Sequence, residues 1–146
     1  MISEARGLKI IEYPFSRKIR GLCVNGTILI NRNIETTAER ECVIAEEVGH
    51  YHLNYGDILD QRDTSKRKQE LKAKRWAYSR LIPLTKLIDA YNKGVQARFE
   101  LAEFLCVTEE FLAEALEYFR IKYGFYHDLN SYTIYFDPLY VARRIN

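Results

Sequence analysis

The side chains best suited to chemistry in this 146-residue chain lie in one short run, Cys42-Val-Ile-Ala-Glu-Glu-Val-Gly-His-Tyr-His-Leu53. Glu46 and His50 are four residues apart, so on a helix of ~3.6 residues per turn they stand one above the other, with Glu47 beside them. This is the geometry of HExxH, in which the two outer residues hold zinc and the glutamate next to the first acts as general base. Here the outer pair is Glu46 and His50. The same spacing also fits a solvated helix face on which Glu46 simply pairs with His50. Two details favour a buried helix. Val43, Ile44, Ala45, Val48 and Leu53 are apolar, and a carboxylate among them is costly unless paired or metal-bound. Gly49 costs about 1 kcal/mol against alanine in mid-helix, so it predicts a neighbour packed closely against the backbone.

A zinc hydrolase needs a third protein ligand and an open position for water. Glu70 is the candidate, twenty residues past His50. On a helix it shares a stripe with Ala73 and Ala77, with Trp76 beside it, and small residues there let two helices approach. Glu70 also fits a surface ion pair with Lys74, four residues on. The other basic residues of that helix, such as Lys68 and Lys72, fit a solvated face.

These residues must be positioned by a fold of the α+β class. Leu8–Phe15, Ile19–Val24 and Thr27–Asn31 read as strands. Asn25-Gly26 between the last two is a type I′ hairpin signal, because that turn needs positive φ at both central positions. The expectation is a three-stranded antiparallel sheet packed on a helical body. Thr36 or Thr37 caps the first helix, with Glu39 and Glu41 near its positive end, and the helix runs to about Asn54. A polar loop over 56–65 precedes a second helix from about Lys66 to Ile82, ended by Pro83. A short helix covers Leu84–Asn92. Gln96–Leu105 and Thr108–Tyr123 form a helical hairpin, and Phe125–Leu129 with Ser131–Phe136 a short β-hairpin. No linker or repeat interrupts the chain, which reads as one domain over 1–146.

Composition narrows the function classes. Lys plus Arg is 22 and Asp plus Glu is 20, a net charge of +2, which does not suggest broad electrostatic binding to nucleic acid. No run approaches the ~20 apolar residues of a membrane span, and the N-terminus has no secretory h-region. Cys23, Cys42 and Cys106 are odd in number with no CxxC spacing, and read as buried free thiols in a cytoplasm.

The run Ala45-Glu-Glu-Val-Gly-His50, then Glu70-x-x-Ala73-x-x-Trp76-Ala77 and Leu81-Ile82-Pro83, resembles the ImmA/IrrE metallo-endopeptidase family. The likeness covers roughly residues 7–85 as a peptidase core, and the hairpin over 96–123 is similar to that of short phage-borne members. It implies a zincin-like active-site helix and cytoplasmic, zinc-dependent, site-specific cleavage of a helix-turn-helix repressor, serving a prophage or mobile element. It assigns Glu46, His50 and Glu70 to the metal and Glu47 to the catalytic base. Glu46 stands where the family pattern has histidine. Two carboxylates and one imidazole make a harder, more anionic site, which weakens the preference for zinc over manganese. A pseudo-enzyme that binds the repressor without cutting it is the alternative reading.

Thr27, Ile28, Leu29, Ile30 and Asn31 are expected to form an edge strand to which an extended substrate adds. His52 points about 200° away from His50 and reads as a structural histidine. No oxyanion donor stands out among Tyr51, His52 and Tyr55. Asp57, Asp60 and Asp63 lack EF-hand spacing. A small DNA-binding regulator is a further alternative, because Phe99–Leu116 has the cadence of a helix-turn-helix. Its would-be recognition helix carries Glu109, Glu110, Glu114 and Glu117, which repel phosphates, whereas Phe111, Leu112, Ala115, Leu116 and Phe119 make a packing stripe.

Overall fold

A computed structural model describes residues 7–56 and 66–145. The polar loop before the second helix, with Asp57, Asp60 and Asp63, lies outside the described residues. Contacts divide the chain into two compact units, Met1–Leu81 and Ile82–Asn146. No described helix is long and apolar enough to cross a membrane.

The first unit comprises β1 (Lys9–Tyr13), β2 (Gly21–Val24), β3 (Thr27–Asn31), α1 (Thr37–Gly56) and α2 (Lys66–Leu81). Asn25 and Gly26 turn β2 into β3 with φ of 48° and 76°, as the type I′ signal requires. The three strands form, but the sheet is mixed rather than antiparallel. Its order is β1-β3-β2, and β1 runs parallel to β3. The reason lies in the segment 14–20, which carries the chain past β3 to its far side before the hairpin begins. The buried Asn31 holds that crossover. Its amide donates to the carbonyls of Ser16 (3.0 Å) and Ile19 (2.8 Å), and its oxygen accepts from the Asn33 N–H.

This topology also corrects the expectation that Thr27–Asn31 is an edge. β3 is the central strand, with its backbone engaged on both sides. Ile28 and Ile30 are fully buried in the core against Val43, Ile44 and Val48 of α1. A hairpin signal identifies two partners but says nothing of a third, and the most apolar strand takes the middle because burial on that side stabilises most. Among the described residues the edges of this sheet are β1 and β2.

α1 starts where the Thr36 hydroxyl accepts the Glu39 N–H at 3.1 Å, one of the donors a helix start leaves unpaired. α2 packs along it at Gly49. A Cβ there would lie 2.9 Å from the Ala73 carbonyl oxygen and 3.2 Å from the Trp76 ring. The close neighbour expected from Gly49 is therefore α2, and Ala73 and Ala77 are both fully buried.

The second unit holds α3 (Leu84–Asn92), α4 (Arg98–Leu105), α5 (Glu109–Tyr123), β4 (Tyr126–Leu129), β5 (Tyr132–Phe136) and β6 (Leu139–Arg143). Thr108 caps α5, accepting the Phe111 N–H at 3.0 Å. Phe111, Leu112, Ala115, Leu116 and Phe119 are buried together, the packing stripe read from their spacing. The expected β-hairpin is larger: β6 adds to β5 to make a three-stranded antiparallel sheet in the order β4-β5-β6. The chain turns at Asp137-Pro138 after β5 and resumes as β6. The three cysteines are free, but only Cys42 is buried. Cys106 is exposed because it ends α4 in the left-handed region, at φ 56°.

Candidate active site

The chemistry of α1 is concentrated on the face turned toward β2 and α2. Gly21 of β2 makes the approach possible. A Cβ at Gly21 would sit 2.7 Å from Val43 Cγ1 and 3.3 Å from Glu47 Cγ. Without a side chain there, Glu47 reaches the sheet and its carboxylate accepts the backbone N–H of Cys23. That N–H is free to be shared. Asn31 N–H donates to the Arg20 carbonyl, so in an antiparallel ladder residues 20, 22 and 24 bond β3 while Gly21 and Cys23 face outward. Glu47 thus sits at the open edge of β2.

Its electrostatics follow from that position. Burial is the largest influence and disfavours the charged form; the carboxylates of Glu46 and then Glu70 push the same way. Against them, the Cys23 N–H stabilises the anion. The balance leaves the Glu47 carboxyl pushed up to about 7. The half-buried Cys23 thiol is also raised, by burial first and by Glu47 second. His50, half-buried, is lowered by burial, with Glu70 opposing. Glu47 therefore feels the charges of Glu46 and Glu70, and His50 that of Glu70, which is itself exposed on α2.

Oxygen and imidazole donors of this kind suit a divalent ion. As placed, however, they do not close on one. Among the described residues no group of three or more His, Cys, Asp or Glu side chains stands together closely enough to hold a metal. The side chains expected as Glu46, His50 and Glu70 ligands are neighbours, not a formed ligand sphere.

His52 is exposed, its ring 5.5 Å from Tyr51 and 5.4 Å from Trp76 of α2. It is a ring-packing residue, as its place on the helix implies. His127 packs likewise against Tyr123, 4.5 Å between centroids. The contributions that spacing missed are Gly21 and the Cys23 N–H. A glycine inside a strand is itself a sign of close backbone approach, but only the fold shows that the approaching group is Glu47.

α1 thus carries a pair of carboxylates, Glu46 and Glu47, with Glu47 half-buried beside β2. The model of the IrrE N-terminal-like domain family, Peptidase M78, matches residues 4–117, and the chain belongs to that family, also called ImmA/IrrE. Its function is accordingly of the metallopeptidase type. The match covers the first unit and continues into α5. No curated protein and no solved structure matches the chain.

Proposed function

We propose that the protein is a cytoplasmic metal-dependent endopeptidase that cuts a helix-turn-helix repressor, with Glu47 as general base. The observation that supports this best is the Glu47 carboxyl itself, held at the β2 edge and pushed up to about 7. A general base works best when its pKa lies near the working pH. Near neutrality such a carboxylate can take a proton from water and then hand it to the leaving amine. An ordinary surface glutamate is too weak a base for the first step and too strong an acid to retain the proton for the second.

In this reading Glu46, His50 and Glu70 are the metal ligands, and they must draw together to serve. Glu70 is exposed on α2, so its side chain is free to change rotamer. Zinc is the family's metal; two carboxylates with one histidine also accept manganese. An extended segment of the repressor lies along β2, the open edge beside Glu47, rather than along β3.

A second reading is favoured by Glu46 and by the unclosed ligand set: the groove binds the repressor and sequesters it without cutting. One experiment separates the two. The purified chain is incubated with the repressor encoded beside its gene, with zinc or manganese, and compared with Glu47→Gln. Cleavage at one bond, lost in Glu47→Gln with binding retained, is the expected result. Binding without cleavage by either protein would establish the sequestering reading.

A further inference from the structure

The hydrogen bonding of β2 beside Glu47 bears on how a substrate reaches the base. Leu22 and Val24 bond β3, so the N–H and C=O groups of Gly21 and Cys23 are directed to the other side. Among the described residues one hydrogen bond is made there. It is the bond that the Cys23 N–H donates to the Glu47 carboxylate.

Packing holds Glu47 in reach of that donor. Val43 and Val48, which flank Glu47 on α1, are buried in the core with Ile28 and Ile30 of β3. The helix backbone at Glu47 is thereby fixed against the sheet, and only its side chain can move. Gly21 leaves room for that side chain on the strand, since a Cβ there would lie 3.3 Å from Glu47 Cγ. Glu47 is half-buried, so its carboxylate has little water to replace the bond to Cys23.

An extended segment that adds to β2 needs the same donor. In either strand direction one of its carbonyls must accept the Cys23 N–H. An N–H makes one strong bond at a time, and a charged carboxylate is a stronger acceptor than a neutral carbonyl. The incoming carbonyl must therefore displace Glu47. It is helped by the other outward groups of β2, the Gly21 N–H and the carbonyls of Gly21 and Cys23, which the same segment can engage. Displacement leaves the Glu47 oxygens without their backbone donor and open to a proton.

We propose that Glu47 is held on the β2 edge until the substrate backbone takes over the Cys23 N–H, so that docking of an extended segment is what releases the base. The inference rests on the peptidase reading of Glu47 and narrows its substrate class. A helical segment, whose carbonyls are already bonded, does not release the base, so the cut falls in an extended stretch of the repressor. The test uses the full chain stripped of metal, so that binding is read without cutting, and the repressor encoded beside its gene. A carboxylate that occupies the edge weakens binding by the fraction of time the edge is open. With that fraction at about a tenth, Glu47→Ala should bind the repressor about tenfold more tightly than the unaltered chain in calorimetry. Glu47→Gln, whose amide oxygen still accepts the Cys23 N–H, should stay within about threefold of the unaltered chain. Hydrogen exchange reads the contact itself. In the free chain the Cys23 amide should exchange about tenfold faster in Glu47→Ala, and bound repressor should slow it in both proteins. Unchanged exchange at Cys23 in Glu47→Ala, or repressor binding no tighter than that of the unaltered chain, would overturn the proposal. If the metal-loaded chain still cuts the repressor in that case, the peptidase reading stands and the release step alone falls. Absence of repressor binding by all three proteins would overturn both.

Discussion

Glu47 is the residue on which most of the chemistry turns, and its environment predicts behaviour apart from catalysis. Its pKa in the folded chain, about 7, exceeds the ordinary 4.5. The folded state therefore holds the proton more tightly than the unfolded state. This group's contribution to stability is fully present below about pH 4.5 and is lost as pH rises through about 7. In metal-free protein, urea unfolding should show stability falling over that window. Glu47→Gln should remove the slope and stabilise the chain by about 1–3 kcal/mol at pH 8. The same substitution should lower repressor cleavage by about 100-fold or more. Glu46→His restores a His-Glu-x-x-His pattern and should tighten zinc binding about tenfold or more, read by competition with a chromophoric chelator. The trio Glu46, Glu47 and His50 was legible in the sequence because one helical turn fixes their relation. Gly21 and the Cys23 N–H were not, because nothing local says which strand edge α1 will face.

At the scale of elements, the close α1–α2 packing at Gly49 fixes how the two helices lie against each other. Gly49→Ala should gain about 1 kcal/mol of helix propensity and still destabilise. Its Cβ meets the Ala73 carbonyl at 2.9 Å, and helix backbone cannot yield as a side-chain tip can. A net loss of about 1–2 kcal/mol in thermal or urea unfolding is expected, in line with other overpacked sites. Thr108→Ala, which removes the α5 cap, should cost about 1 kcal/mol. Local signals of this kind gave most elements correctly. Asn25-Gly26, Thr36, Pro83 and Thr108 each act through their own backbone. Pairing was less legible. The parallel β1–β3 contact depends on Asn31 tying down the 14–20 crossover, a bond across 12 to 15 residues. β6 was hidden because Pro138 ends a strand pattern unless the chain turns and pairs again.

For the whole molecule, the chain belongs to the ImmA/IrrE family. In the proposed function, Glu46, His50 and Glu70 gather round one ion, with Glu47 beside it. An ion bound only by the folded chain raises the melting temperature with concentration by mass action, so zinc should stabilise the protein and chelation should reverse the gain. The most direct measurement is a calorimetric titration of the metal-stripped chain with zinc, repeated with His50→Ala and Glu70→Gln. The account predicts one ion per chain and at least a tenfold loss of affinity in each variant. A chain that takes up no ion, or binds one equally well after both substitutions, would contradict it.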